Sequence, residues 1–146
     1  MRQSQLFGKT LQEPPKDEVA ANAILLERGG FVYKTMAGIY DYLPLGLRVL
    51  EKIRVIIREE MNAIGGQEVL MTTLQPKDRW EKTGRWKVLG EEIMYQFKDR
   101  SGRELGIAST HEEALAEIAL RSISSYKDLP LYVYQIQNKF RDELRA

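Results

Sequence analysis

A run of apolar residues at helical spacing between positions 46 and 64 constrains the fold of this chain more than any other pattern. The members of this apolar stripe are Val49, Leu50, Ile53, Ile56, Ile57, Met61 and Ile64. Apolar residues that recur every three to four positions are typical of an amphipathic helix, and Gly65-Gly66 predicts its end. The polar side of the helix is not especially basic, which disfavours a membrane surface. We therefore expect a long helix whose apolar stripe is covered by a core or by a second subunit.

Two further helices and one short helix are predicted in the rest of the chain. A helix over residues 19–29 follows Asp17, which is a suitable N-cap. A short helix lies within residues 76–90, a stretch that holds both tryptophans. Thr110 is a suitable N-cap for a helix over residues 111–123, because its hydroxyl can accept from a free amide of the first turn.

Four segments are predicted to form strands: residues 68–74, 93–98, 105–108 and 131–140. The middle two are expected to form a hairpin around Asp99-Arg-Ser-Gly102. Residues 31–42 are short and mixed and favour no single element. Because helices and strands follow in mixed order and neighbouring strands form a hairpin, we expect an α+β fold with an antiparallel sheet flanked by helices.

Composition is that of a soluble globular protein and excludes several kinds of site. The 146 residues are 43% hydrophobic and 29% charged, which is typical of one folded domain. The net charge of +1 gives no basic excess for binding nucleic acid. Without cysteine and with one histidine, the chain cannot form disulfides or metal sites built from thiolates or histidines. No apolar run reaches membrane-spanning length and the N-terminus has no apolar signal core, so we expect a cytoplasmic protein with no membrane partner.

Three segments in a fixed order carry a resemblance to a known family. They are Trp80-Glu-Lys-Thr-Gly-Arg-Trp86, Ser109-Thr-His-Glu-Glu113, and a stretch from Leu129 to Arg145 that contains Phe140-Arg-Asp-Glu143. The third resembles the second signature motif of class II aminoacyl-tRNA synthetases, and the second resembles the Thr-x-Glu loop of prolyl-tRNA synthetases. Together with Ala37-Gly-Ile-Tyr40 and Leu43-Pro-Leu-Gly46, they are similar to the N-terminal part of the catalytic domain in the bacterial and organellar prolyl type.

The resemblance implies a partial class II catalytic fold over residues 1–146, which stops after the start of the second signature motif. The family's third motif and anticodon-binding domain come later. We therefore expect this chain alone not to complete the reaction. Because the family's return strand beside residues 131–140 is also missing, we expect the chain to self-associate or fold only marginally. The family's first motif, here residues 46–64 and 68–71, builds a dimer interface and implies a homodimer. Thr72 stands where the family usually has proline, a departure that bears on the dimer geometry.

The activity implied by the resemblance is that of a proline–tRNA ligase. Proline and ATP form prolyl-adenylate with loss of pyrophosphate, and the prolyl group then passes to tRNA(Pro). Arg141 matches the catalytic arginine that binds both the proline carboxylate and ATP, and Glu143 matches the acceptor for the adenine amino group. Thr110 and Glu112 match the residues that bind the prolyl ammonium. Mg²⁺ is expected with the triphosphate, its ligands lying outside this chain, and no metal site is expected within the chain.

Each of these residues also has a simpler interpretation. Apart from the family, residues 110–113 are an ordinary helix start, and Arg141 with Glu143 is part of a solvated charged end. His111 is expected to be structural, since adenylate formation removes no proton from a carboxylate, and both tryptophans are expected in a core or pocket wall. For the whole chain, the alternatives are a non-catalytic binding module derived from a synthetase fold, and a threonyl or seryl synthetase.

Overall fold

The computed structural model describes residues 2–16 and 18–143 of the chain. The expected N-cap Asp17 and residues 144–146, which include the end of the resembling stretch that starts at Leu129, lie outside the described residues. The chain divides into two compact units, Met1–Glu60 and Met61–Ala146. The expectation that residues 1–146 form part of one catalytic domain stays a prediction.

The first unit contains a helix, a strand hairpin and most of a long helix. After a short 3-10 turn at Gln3–Gln5, helix α1 spans Ala21–Arg28. Strand β1 at Val32–Met36 pairs antiparallel with β2 at Ile39–Tyr42, in the stretch whose sequence favoured no single element. Helix α2 then spans Pro44–Ala63, which confirms the long helix with a slightly earlier start than expected.

Gly46 lets the first turn of α2 approach the preceding chain closely. The residue is buried, and a side chain at this position would overlap the carbonyl oxygen of Phe31. That carbonyl accepts a hydrogen bond from the amide of Leu43 at 2.9 Å. Pro44 suits the helix start, because its fixed φ is helical and its missing N–H would have no helical partner there. The segment Leu43-Pro-Leu-Gly46 therefore begins the helix and joins it to the residue before β1.

A half-buried acid connects the segment before α1 to the hairpin. The Glu18 carboxylate accepts from the Tyr40 hydroxyl at 2.6 Å and lies 3.1 Å from the Lys34 ammonium. The hydrogen bonds from Tyr40 and Lys34 lower the pKa of Glu18 from 4.5 to about 2. The charged form of Glu18 is therefore the one that the folded unit stabilises.

Within the described residues, the second unit contains three further helices and five short strands. The helices are α3 at Lys77–Glu81, α4 at Arg85–Glu92 and α5 at Glu112–Ser122. The strands are β3 at Gln67–Glu68, β4 at Leu74–Pro76, β5 at Gln96–Lys98, β6 at Glu104–Ile107 and β7 at Val133–Tyr134. A 3-10 turn at Tyr126–Asp128 precedes β7.

The strands of the second unit form two small sheets. β4, β6 and β5 lie side by side in that order and are antiparallel, with Gln75 opposite Gly106 and Phe97 opposite Leu105. The β5–β6 hairpin confirms the turn predicted at residues 99–102. β3 and β7 pair in parallel, which the sequence did not predict. The α+β class, with small antiparallel sheets and helices, is confirmed.

The core of the second unit is small and aromatic. Its buried apolar members are Trp80, Leu89 and Met94, with Trp86 and Ile93 packed against them. Gly106 of β6 lies directly under this cluster, and a Cβ there would come within 2.7 Å of the Met94 sulfur. The expectation that both tryptophans pack in the core is confirmed, and Trp80 is fully buried.

Two of the predicted strands are much shorter than expected. In the predicted strand over residues 68–74, only Glu68 and Leu74, at its two ends, belong to paired strands. In the predicted strand over residues 131–140, only Val133–Tyr134 do. The reason is a side chain that takes the place of a strand partner. The Oε1 atom of Gln137 accepts from the Met71 amide at 2.9 Å, and its Nε2 donates to the Met71 carbonyl at 3.0 Å. A carboxamide carries the same donor and acceptor as a peptide group, so no backbone ladder forms there.

The apolar stripe of α2 is open in the described part of the chain. Its side chains Val49, Ile53, Ile56, Ile57 and Ile64 are 45–66% exposed. The expected cover by a core within the chain is thus wrong for these five residues. Cover by a second subunit stays a prediction. No helix in residues 2–16 and 18–143 is long and apolar enough to cross a membrane.

The Glu18 contacts predict how the stability of the chain depends on pH. Because the pKa of Glu18 falls from 4.5 to about 2 on folding, its contribution is complete above pH 4.5 and is lost as the pH falls toward 2. We expect Glu18→Gln to lower the melting temperature at neutral pH and to flatten the dependence over this acidic range. Thermal melts at several pH values check this, with the exposed Glu13 changed to Gln as the control. Parallel curves for wild type and Glu18→Gln would contradict the assignment.

Candidate functional site

From Ser109 to Glu113, where the chain passes from β6 into α5, alternate side chains face the interior and the surface. The side chains at the inner positions are almost fully buried: Ala108, Ser109, His111 and Glu113. Thr110 is half-buried and Glu112 is exposed. The backbone of this segment is held on both sides, since the Ala108 amide donates to the Thr73 carbonyl at 2.8 Å and its carbonyl accepts from Phe140 at 3.0 Å. A rigid segment therefore carries Thr110 and Glu112 outward.

Thr110 and Glu112, both predicted to bind the same ligand, lie in direct contact. The Thr110 hydroxyl donates to the Glu112 carboxylate. The predicted N-cap role of Thr110 is wrong, because the residue that precedes α5 is His111 and no side chain caps its first turn. The threonine hydroxyl bonds a side chain in place of a backbone amide. It keeps its lone pairs available to a further donor.

Arg141 approaches the same segment from the C-terminal side. Its Nε donates to the carbonyl oxygen of Ser109 at 3.0 Å, and the side chain is 45% exposed. One N–H is therefore used to hold the guanidinium, and the outer nitrogen Nη1 is on the side that faces Glu143. Glu143 lies 3.7 Å from Arg141 and is 59% exposed, so the two form a loose ion pair at the surface. Arg141 thus lies beside the Thr110 segment, and Glu143 is near Arg141.

His111 is buried between the two outward residues and contacts Gln137. The Nε2 atoms of the two side chains are 2.7 Å apart. Burial lowers the pKa of His111, and the positive charge of Lys139 lowers it further, while Glu112 and the backbone of Thr72 act in the opposite direction. The neutral ring fits the structural role predicted for it. The role of Gln137 was not predicted, and its signal in the sequence is a glutamine two positions after another in an otherwise apolar stretch.

Glu113 connects the candidate site to the tryptophan segment. Its side chain is 3% exposed, and the Arg85 guanidinium donates to it. The Arg85 guanidinium also lies over the ring of Trp80, 5.6 Å from its centre. From the sequence, Glu113 was expected only to be one of the acids in the first turn of the helix. The partner could have been suspected from the arginine inside Trp80-Glu-Lys-Thr-Gly-Arg-Trp86, though nothing in the pattern fixed the pairing.

A separate cavity lies on another side of α5. It has a volume of about 280 Å³ and is lined by Leu70, Met71, Thr72, Arg79, Ala114, Glu117, Ile118 and Arg121. Glu117 is bound on two sides, by Arg79 at 2.9 Å and by Lys82 at 3.0 Å, and these partners lower its pKa, Lys82 most strongly. None of the predicted site residues lines this cavity. In the described part of the chain, no group of three or more histidine or acidic side chains is placed to hold a metal.

Comparison with known sequences supports the predicted resemblance. Residues 95–146 match the family model of the tRNA synthetase class II core domain (G, H, P, S and T). The chain is 53% identical to a proline–tRNA ligase of Prochlorococcus marinus and 51% identical to one of Moorella thermoacetica, each time over 99% of the chain. It spans only 24% and 25% of the length of these two relatives. The predicted similarity to prolyl-tRNA synthetases is therefore confirmed for a piece about a quarter of their size.

Comparison with solved structures supports the fold. The prolyl-tRNA synthetase of Giardia lamblia, solved with prolyl-adenylate, matches with a TM-score of 0.71 at 23% identity, over 82% of this chain and 25% of that one. The RNA binding domain of threonyl-tRNA synthetase from Cryptosporidium parvum also gives 0.71, at 22% identity, over 78% and 29%. Equal scores for a prolyl and a threonyl protein mean that the fold alone does not identify an amino acid.

The buried position of Glu113 predicts an asymmetric effect of mutating its ion pair. Changing Arg85 to Met leaves a carboxylate buried without its cation, which costs about 3 kcal/mol of unfolding free energy. The double variant Arg85→Met with Glu113→Gln removes the buried charge and is expected to recover much of the loss. Chemical denaturation of both variants checks this, with the exposed Lys98 changed to Met as the control. A double variant no more stable than Arg85→Met would contradict the explanation.

Proposed function

We propose, on the basis of this similarity to bacterial proline–tRNA ligases, that residues 1–146 are the N-terminal part of the catalytic domain of such an enzyme. The protein that carries them would activate proline with ATP and transfer the prolyl group to tRNA(Pro). The observation that carries the proposal is the hydrogen bond from Arg141 to the Ser109 carbonyl. It holds a half-exposed guanidinium beside the contacting pair of Thr110 and Glu112.

Arg141 is proposed as the catalytic residue of adenylate formation. A carboxylate oxygen of proline attacks the α-phosphorus, the new P–O bond forms, and the bond to the β-phosphate oxygen breaks as pyrophosphate leaves. Two anions must approach each other in this step, so a fixed cation between them lowers the barrier. An arginine keeps its charge and can bind oxygens of both groups at once. The contact through Nε leaves the outer nitrogens of Arg141 for this task.

Thr110 and Glu112 are proposed to bind the ammonium of proline. The secondary ammonium has two N–H donors and needs two acceptors, of which a carboxylate is the stronger. The exposed Glu112 supplies the carboxylate. Because the Thr110 hydroxyl donates to Glu112, its own oxygen can accept from the second N–H. The ammonium and carboxylate of one proline would then face Glu112 and Arg141 respectively.

ATP is proposed as the co-substrate, with Arg141 and Glu143 among its contacts. The exposed Glu143 carboxylate can accept from the adenine amino group, which guanine replaces with a carbonyl. The prolyl-tRNA synthetase of Giardia lamblia was solved with prolyl-adenylate and that of Cryptosporidium parvum with AMPPNP, which supports ATP as the substrate class. Mg²⁺ would arrive with the triphosphate, and its protein ligands would lie outside this chain.

A homodimer in the cytoplasm is proposed as the working form. Apolar side chains on α2 that are 45–60% exposed would gain from cover by the partner subunit. At about 25 cal/mol per Å² of apolar surface removed from water, covering even part of the stripe contributes several kcal/mol. Thr72, in the position of the family's usual proline, keeps a backbone N–H that proline lacks, a departure that bears on the dimer geometry.

A threonyl or seryl enzyme, and a non-catalytic module, are the competing functions. The threonyl match in fold keeps the first of these open, although the sequence identity of about 50% is to proline–tRNA ligases. Pyrophosphate exchange in a protein that spans the length of these relatives separates the three, with proline, threonine and serine as substrates. Exchange with proline alone supports the proposal, exchange with another amino acid reassigns it, and no exchange supports the module.

Arg141→Lys tests the proposed catalytic residue. Lysine keeps the charge but loses the fork, so a contact made in the transition state weakens by on the order of 3 kcal/mol, or about 100-fold in rate. We expect proline-dependent pyrophosphate exchange to fall accordingly, with little change in melting temperature. The exposed Arg100, on the β5–β6 turn, changed to Lys is the matched control. Wild-type exchange in a folded Arg141→Lys protein would remove Arg141 from the site.

Glu112→Ala tests proline binding separately from ATP binding. The loss of the anionic acceptor should raise KM for proline by about tenfold or more, since a charge-assisted hydrogen bond contributes roughly 1.5–3 kcal/mol. KM for ATP should change little. The exposed Glu92 changed to Ala serves as the control. If Glu112→Ala lowers stability but leaves KM for proline intact, the residue acts only as an acid of the first helical turn.

A further inference from the structure

The carboxamide of Gln137 has its orientation fixed by the backbone of Met71. The Met71 amide can only donate, and it faces Oε1 at 2.9 Å; the Met71 carbonyl can only accept, and it faces Nε2 at 3.0 Å. Exchanging the oxygen and nitrogen of the side chain would place two donors together and two acceptors together. The position of the Gln137 NH₂ group is therefore set by contacts that do not involve the candidate site.

This orientation determines the state of the histidine ring. Of the two N–H groups on Gln137 Nε2, one points to the Met71 carbonyl, and the other is left for His111 Nε2 at 2.7 Å. His111 Nε2 must then be an acceptor, so it carries no proton, and the neutral ring carries its proton on Nδ1. An imidazolium would set two donors against each other at this contact.

The surroundings of His111 agree with a neutral ring. It is fully buried, and burial lowers its pKa. The charged groups around it come from three segments: Arg79 on α3, Glu112 on α5 and Lys139 after β7. The two cations oppose protonation, and the single acid and the backbone of Thr72 favour it, but burial has the largest effect. The hydrogen bond from Gln137 adds a geometric reason to this electrostatic one.

We propose that Gln137 is a positioning residue for proline binding: it holds His111 as the neutral Nδ1–H tautomer and so fixes the segment that carries Thr110 and Glu112. His111 lies between these two residues, and its buried ring is the anchor that keeps them facing outward. Gln137 ties that anchor to Met71, which belongs to a different part of the second unit. The proposal rests on the proposed function of Thr110 and Glu112.

The protonation state and tautomer of the His111 ring can be measured without an activity assay, because the chain contains one histidine. In the 146-residue chain labelled with ¹⁵N-histidine, NMR is expected to show a protonated Nδ1 and an unprotonated Nε2. The ring should stay neutral at pH 6.5, where an unperturbed histidine is half protonated. A protonated Nε2 in the neutral wild-type ring overturns the proposal, and this measurement needs no variant.

Gln137→Glu should change the ring state in a defined direction. A carboxylate at this position accepts a proton, so Nε2 becomes protonated and the imidazolium persists to higher pH than in the wild type. Asn138→Asp adds the same charge one residue away on an exposed side chain and should leave the ring unchanged. Equal ring spectra in Gln137→Glu and wild type, or an equal change in Asn138→Asp, would overturn the role of Gln137.

The effect on the site is measured in a protein that spans the length of the relatives. Gln137→Glu and Gln137→Leu are expected to raise KM for proline by up to about 100-fold, as small displacements of binding groups do. KM for ATP should change much less. An unchanged KM for proline in both folded variants overturns the positioning role. Absence of proline-dependent exchange in the wild type would instead overturn the proposed function, whatever the ring spectra show.

Discussion

One side-chain amide, that of Gln137, supplies hydrogen bonds that a β-ladder would otherwise supply. It satisfies both backbone groups of Met71 and still has one N–H for the buried His111. Three hydrogen bonds of roughly 1 kcal/mol each are modest in net stability, but leaving their buried partners unsatisfied would cost more. The segment after β7 thus lies against residue 71 and against the start of α5 without being a strand.

The candidate site follows from this arrangement. The chain between β6 and α5 is fixed through its backbone at Ala108 and through the buried side chains of His111 and Glu113. Thr110 and Glu112 are the positions in between, so they face outward because their neighbours are held inward. Arg141 is held by the carbonyl of Ser109 in the same segment. A site for a small zwitterion needs an anionic and a cationic side chain at a fixed separation. The buried residues on both sides of Thr110 and Glu112 provide that rigidity.

Much of the fold was accessible to sequence reasoning, and the failures share a cause. Helix α2 and the β5–β6 hairpin were predicted because their periodicity and turn residues are local signals. The strand over residues 131–140 was overestimated because alternation does not reveal that the side chain of Gln137 would replace a backbone partner. Thr110 was assigned as a cap because the pattern does not reveal that its hydroxyl bonds Glu112. Side-chain hydrogen bonds leave no periodic trace in a sequence, whether they join distant segments or residues two positions apart. The candidate site residues themselves were predicted from the resemblance, since their local patterns alone favoured an ordinary helix start and a solvated charged end.

The close approach at Gly46 restricts how this region can vary over evolutionary time. No side chain fits between the first turn of α2 and the Phe31 carbonyl. Glycine at position 46 can therefore be replaced by another amino acid only if the backbone at Phe31 also moves. The hairpin of β1 and β2 lies between these two residues, so an insertion or deletion inside it must still return the chain to the same contact. Length changes there are tolerable only in the turn at the hairpin tip, where Gly38 already adopts a positive φ of 77°. The hairpin and the helix start would therefore be inherited, recombined and transplanted as a single block.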